Sequence, residues 1–172
     1  MSNKKIKNAN STKINELLFK SRLELRVYKL LSTMGFNVQY EPYTFTLWEG
    51  FKPLTPFYDQ ETNRQRVDRL KEDKSGSKSL QLIQKNEKIM SIKYTPDFYL
   101  EYNGVYIYIE AKGYENDVFY IKKKLFRQLL DDKLKNNGEM SMYFEVHTIK
   151  QLLQAVEIFK TYANGRTKKE LR

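Results

Sequence analysis

The most constraining stretch of this chain runs from Thr95 to Lys112 and reads TPDFYLEYNGVYIYIEAK. Asn103-Gly104 is a strong hairpin signal, because a two-residue turn of this kind needs positive φ at both positions. Side chains alternate across a strand. In the second strand Val105, Ile107, Ile109 and Ala111 therefore point one way, all apolar, while Tyr106, Tyr108, Glu110 and Lys112 point the other. Glu110 and Lys112 project from one face, roughly 7 Å apart along the strand by its usual rise. The turn folds the preceding strand back alongside and can bring Asp97 near Glu110. Pro96 keeps Thr95 extended and lacks an amide donor, which suits a strand bending at its edge.

Around this hairpin, helical and extended patterns alternate. Leu17, Leu18, Leu25, Tyr28, Leu31 and Met34 recur at helical spacing, which predicts an amphipathic helix from about Ile14 to Met34, ended by Gly35. Phe36 to Trp48 is predicted to be extended, with Tyr43, Phe45 and Leu47 alternating against Thr44 and Thr46. From about Lys52 to Lys88 the periodicity breaks down, around Pro53, Pro56, the charged run NRQRVDRLKEDK and SGSKS. This predicts a long excursion inserted into a hairpin, functional or disordered. After the hairpin, Asn116 or Asp117 can cap a helix to about Asp131 with Ile121, Leu125, Phe126 and Leu129 inward. A strand at Met142–Val146 and a helix from about Ile149 to Tyr162 follow. Residues 1–13 form a basic, polar arm and residues 163–172 a basic tail expected to fray, so the single domain spans 14–162. The order implies an α/β fold, with a mixed central sheet and helices on its faces.

Composition adds a partner but no reaction. The chain of 172 residues has 31 lysines and arginines against 21 acids, a net charge of +10. Such a surplus suits a polyanion, since basic side chains neutralise phosphates and release condensed counterions. The absence of cysteine excludes disulfides and thiolate metal sites and fits a reducing, cytoplasmic setting. No apolar run is long enough to span a bilayer, and none near Met1 resembles a signal peptide.

Two carboxylates and a lysine converging on one spot suit phosphodiester hydrolysis. Magnesium prefers oxygen ligands and often uses one or two carboxylates, filling its remaining positions with water and phosphate. The bound ion can generate hydroxide and stabilise charge on the phosphate, and a lysine can orient the nucleophile or stabilise the transition state. The backbone carbonyl of Ala111 is a further possible ligand. An exposed cross-strand ion pair would produce the same Asp97, Glu110 and Lys112 pattern. Glu24 falls on the helix face bearing Leu17, Ser21, Val27, Tyr28 and Leu31, and burying an acid there is costly without a cation or donor. A metal would meet it, and so would Arg22, Lys20 or the mouth of a cleft.

The stretch YTPDFYLEYNGVYIYIEAKG resembles the PD-(D/E)xK motif of phage nucleases, in particular the endonuclease I type of Holliday-junction resolvase. Asp97 matches the aspartate after the motif's proline, Glu110 the second acid and Lys112 the lysine, with Gly113 following. Upstream, FKSRLELRVYKLLSTMGFNVQYEP resembles the first helix and strand of the same nucleases, in which a helix glutamate, here Glu24, completes the metal site. The resemblance implies a restriction-endonuclease-like core and a Mg2+-dependent endodeoxyribonuclease, with Mn2+ as a substitute. It also implies branched or junction DNA as substrate, and a bacterial or phage-infected host cell. Because resolvases cut two strands symmetrically, it implies a homodimer. The insertion at about 52–88 is longer than that family leads one to expect.

Three basic residues of the next helix, Lys123, Lys124 and Arg127, can share a face beside the catalytic strand's end and contact backbone phosphates. A solvated helix face would look the same. Arg64, Arg66, Arg69 and Lys71 in the excursion could also wrap DNA. His147, the only histidine, has no accompanying nucleophile and reads as non-catalytic, and Trp48 reads as a packing residue. Three other functions stay open: a nuclease that nicks or cuts ordinary duplex, a DNA-binding module without turnover, and an accessory subunit docking through the excursion.

Overall fold

The structure is a computed structural model that describes residues 12–14, 17–113 and 117–170, the side chains of 12–14 and 167–170 excepted. Along the chain lie β1 (Thr12–Ile14), β2 (Leu17–Phe19), α1 (Arg22–Thr33), β3 (Gln39–Tyr40) and β4 (Phe45–Trp48). Then come β5 (Phe57–Gln60), α2 (Asn63–Glu72), β6 (Leu82–Lys85), β7 (Ile92–Tyr94), β8 (Phe98–Tyr102) and β9 (Val105–Ala111). The last elements are α3 (Asp117–Asn137), β10 (Ser141–Val146) and α4 (Ile149–Glu170). The described chain is thus an α/β protein with four helices, one mixed four-stranded sheet and small two-stranded ladders. No helix among the described residues is long and apolar enough to cross a membrane.

The chain forms two compact units, Trp48–Ile92 and the remainder. In the larger unit the sheet order is β10-β9-β8-β3. β8 and β9 are the expected hairpin, turned by Asn103 (φ 48) and Gly104 (φ 71) with Phe98 opposite Ile109 and Tyr102 opposite Val105. β10 lies parallel to β9, which requires the crossover that α3 provides. The alternation read from the sequence divides the core in two. Val105, Ile107, Ile109 and Ala111 of β9 pack with Val27 and Leu31 of α1 and with Leu152, Val156 and Phe159 of α4. On the opposite face Tyr108 packs with Tyr94, Phe119, Phe126 and Leu130, so α3 covers that side. Phe98, Phe126 and Phe159 are fully buried, each contributing about 1.5–3 kcal/mol of transfer free energy.

Several expected boundaries are corrected. Helix α1 begins at Arg22 rather than Ile14, because Ser21 caps it by accepting the Glu24 N–H, and Leu17 and Leu18 belong to β2. Its end at Gly35 (φ 83) stands. Helix α3 runs past Asp131 to Asn137; Phe126 and, partly buried, Leu129 face inward as expected, joined by Phe119 and Leu130, whereas Ile121 is exposed. Helix α4 continues past Tyr162 to Glu170, where a frayed tail was expected. The expected Asn116 cap and most of the basic arm lie outside the described residues.

The excursion is ordered. In the unit Trp48–Ile92, β5 and β6 pair antiparallel, Phe57 opposite Lys85 and Gln60 opposite Leu82. The charged run forms α2, opened by a capping box in which Thr62 and Gln65 satisfy each other's backbone N–H groups. Arg69 is the internal staple. It donates to both carboxylate oxygens of the buried Glu61, at 3.1 and 2.6 Å, and to the carbonyls of Ser77 and Ser79. Glu61 also accepts the Gln81 N–H at 3.0 Å. One arginine therefore ties α2 to the segment leading into β6.

Candidate active site

The hairpin register carries the site. With Phe98 opposite Ile109, continuing the ladder by one residue sets Asp97 opposite Glu110. Asp97 does not complete a backbone pair there. Its Oδ2 accepts the Ala111 N–H at 2.8 Å, while its carbonyl accepts the Glu41 N–H at 2.8 Å. The half-buried carboxyl is pushed up to about 8, first by burial, then by the charge of Glu110 and, more weakly, of Glu24; the Ala111 N–H and Lys112 oppose the shift.

Glu110 is buried on the α3 face of β9. One oxygen accepts the Tyr94 hydroxyl at 2.7 Å and the other the Lys112 Nζ at 3.0 Å. Lys112 Nζ also sits 3.7 Å from the centroid of the Phe119 ring, over its electron-rich face. Tyr94 and Tyr143 are linked hydroxyl to hydroxyl at 3.1 Å. Burial, followed by the negative charge of Glu110, pushes the Tyr94 hydroxyl far above the ordinary tyrosine range, so it acts as a fixed donor.

Glu24 enters from α1, on the other side of the sheet. It is buried, and its Oε2 accepts the Lys20 backbone N–H at 2.8 Å and the Tyr40 hydroxyl at 2.6 Å. These donors, rather than the Lys20 or Arg22 side chains, offset its burial. Lys20 instead pairs through Nζ with Glu41. Burial works against the Lys20 charge, but Glu41, Asp97 and Glu24 together hold its pKa above that of an ordinary lysine. Glu41 has φ 46, a left-handed conformation uncommon for a non-glycine residue, and it is held there beside Asp97.

Asp97, Glu110, Lys112 and Ala111 thus gather at one end of the sheet, and Glu24 is near enough to act electrostatically on Asp97. Oδ1 of Asp97 and Oε1 of Glu24 accept no hydrogen bond from the described residues. Among those residues, no group of three or more His, Cys, Asp or Glu side chains is assembled closely enough to hold a metal ion.

The basic candidates of α3 divide. Lys123 is ion-paired to Glu145 of β10 at 2.9 Å and is half-buried. Lys124 lies 4.2 Å from the Tyr120 ring centroid and is exposed, as is Arg127. In the excursion, Arg69 is committed to Glu61, Arg66 reaches the Lys78 carbonyl, and Lys71 pairs with Asp68. His147 is exposed beyond the end of β10. Trp48 is 41% exposed, edge-on to Phe51, and not a core residue.

Sequence reasoning missed Tyr94, Tyr40 and Glu41. Only the first carried a local signal, lying three residues before Asp97 in the same approach to the hairpin. No protein-family model, curated protein or solved structure matches the chain.

Proposed function

We propose that this chain is a divalent-metal-dependent endodeoxyribonuclease of the PD-(D/E)xK type, with a restriction-endonuclease-like core. The observation that carries the reading is the juxtaposition of Asp97 with Glu110 across the hairpin register, with Lys112 bonded to Glu110 and the Ala111 N–H bonded to Asp97. An acid held near 8 by burial and by two neighbouring carboxylates is one that gains most from a cation placed among them. Perturbed acids of this kind concentrate at functional sites, and here the perturbing neighbours, Glu110 and Glu24, are the two acids nominated independently from sequence.

The donors are all oxygen, the type Mg2+ prefers, with Mn2+ as a substitute. Asp97, Glu110, Glu24 and the Ala111 carbonyl would have to draw closer together to hold the ion, since no three of these acids stand assembled for one. When bound, it would supply Lewis acidity toward a phosphate oxygen and a lower pKa for an attacking water. The protein's own groups do the remaining work. Tyr94 and Tyr40 fix the orientation of Glu110 and Glu24, as outer partners of ligating carboxylates do. Lys112, steadied by Glu110 and the Phe119 ring, is a point positive charge able to orient a water or stabilise charge at phosphorus. Branched DNA as substrate and a homodimer as the working form are carried by the resemblance of the motif.

A second reading, a DNA-binding module without turnover, is favoured by one observation. Both oxygens of Glu110 are already satisfied by donors from the chain, and no three-ligand group stands assembled. Nicking of supercoiled plasmid separates the two. The nuclease reading expects Mg2+-dependent nicking that falls at least about a hundredfold in Asp97→Asn and Lys112→Ala, with DNA affinity retained. Binding without nicking by the unaltered protein would favour the second reading.

A further inference from the structure

Within the unit Trp48–Ile92, a groove of about 860 Å3 opens between the β5–β6 ribbon, the start of α2 and the segments flanking the ribbon. Its size lies within the range of roughly 300–1,000 Å3 typical of ligand clefts. Apart from the edge-on contact between Trp48 and Phe51, the side-chain contacts that hold this unit together leave its aromatic walls unused. The Glu61–Arg69 staple lies elsewhere, the capping box engages only Thr62 and Gln65 at the rim, and the backbone pairing of Phe57 with Lys85 and of Phe51 with Ile89 leaves their side chains out. Phe51 and Phe57 line the groove and stay 46% and 58% exposed. Exposed aromatics grouped in a concavity mark a binding surface.

The charge on the walls selects the partner. Arg64, Lys85 and Lys88 stand among these rings, against Asp59 and Glu87. Arg64 and Lys88 are exposed and form no ion pair among the described residues, while Lys85 touches only the Gln65 side-chain oxygen, at 3.3 Å. Lysine is depleted where protein surfaces dock, whereas aromatic rings interleaved with cations are the means by which unpaired nucleotides are held. A duplex offers no base faces for Phe51 and Phe57 to stack on. We propose that this groove binds single-stranded nucleic acid, bases on Phe51 and Phe57 and phosphates on Arg64 and Lys88. The inference rests on the nuclease reading only in supplying that site with unpaired flanks of branched DNA, and binding at the groove is measured without cleavage.

Trp48 is the only tryptophan of the chain, and its ring centroid lies 5.3 Å from that of Phe51, so it reports on the groove directly. The experiment titrates the full chain in EDTA with a short oligothymidylate and, separately, with a duplex of equal length, following tryptophan emission. The single strand should change the emission and bind more tightly than the duplex. Phe57→Ala and Arg64→Ala should each weaken single-strand binding about tenfold, with circular dichroism unchanged because both side chains are exposed. Equal affinity for single strand and duplex, wild-type affinity in both variants, or no binding of either nucleic acid would overturn the proposal. Plasmid nicking by the same variants tests the nuclease reading apart from it, since neither residue belongs to the Asp97–Glu110 site.

Discussion

Asp97 is held by two opposed demands. Its Oδ2 caps the Ala111 N–H, where the ladder of β8 and β9 ends, and its charge is resisted by burial and by Glu110 and Glu24. A carboxyl with a folded pKa near 8 against an unfolded value near 4 binds its proton more tightly when folded. Its contribution to stability is therefore complete at low pH and lost as pH rises through about 8. Asp97→Asn keeps an acceptor for Ala111 and removes the charge. In metal-free buffer this variant should melt above wild type at pH 8, by at least about 2 °C, and show no advantage near pH 4. Equal melting temperatures at both pH values would contradict the assigned state. The same proton must leave when a cation binds. Mg2+ affinity by calorimetry at pH 6 to 8 should accordingly rise with pH, with proton release visible as a dependence on buffer ionisation heat. Tyr94→Phe should destabilise the fold by about 1–3 kcal/mol in urea, because it leaves a buried carboxylate oxygen of Glu110 without its donor.

At the level of elements, what sequence made legible was the part whose pattern is local. The Asn103-Gly104 turn and the period-two alternation of β9 specified the hairpin, its two faces and the side on which Glu110 and Lys112 emerge. The start of α1 was misplaced because leucines at 17 and 18 continue the helical spacing, although Ser21-Arg22-Leu23-Glu24 already spells a capping signal. The excursion was opaque for a different reason. Helix α2 has only Val67 and Leu70 as apolar residues and buries neither, so it has no apolar stripe long enough to read. Its order comes from Arg69 meeting Glu61 and two distant carbonyls, a tertiary arrangement that spacing does not encode. Arg69→Ala should strip hydrogen-exchange protection from the amides of β5 and β6 while those of β8 and β9 keep theirs. Uniform loss of protection across both units would show that the excursion is not stabilised on its own. Gly50 admits no side chain, because a Cβ would stand 2.5 Å from the Ile89 carbonyl oxygen.

For the whole molecule, the larger unit has acids converging from both faces of its sheet, Glu110 from the α3 side and Glu24 from the α1 side, with Asp97 between them at the strand end. The smaller unit has its own fold and its own exposed aromatic groove. A net charge of +10 suits the proposed DNA partner, and binding should weaken steeply with salt. The central claim is that Asp97, Glu110 and Lys112 hydrolyse phosphodiester bonds. The most direct test incubates the protein with an end-labelled four-way junction and a linear duplex of the same sequences, in Mg2+ and in EDTA, with Asp97→Asn in parallel. The account expects Mg2+-dependent cutting, faster on the junction than on the duplex, and absent in the variant. Cutting that persists in Asp97→Asn, or no cutting of either DNA by the unaltered protein in Mg2+, would contradict it.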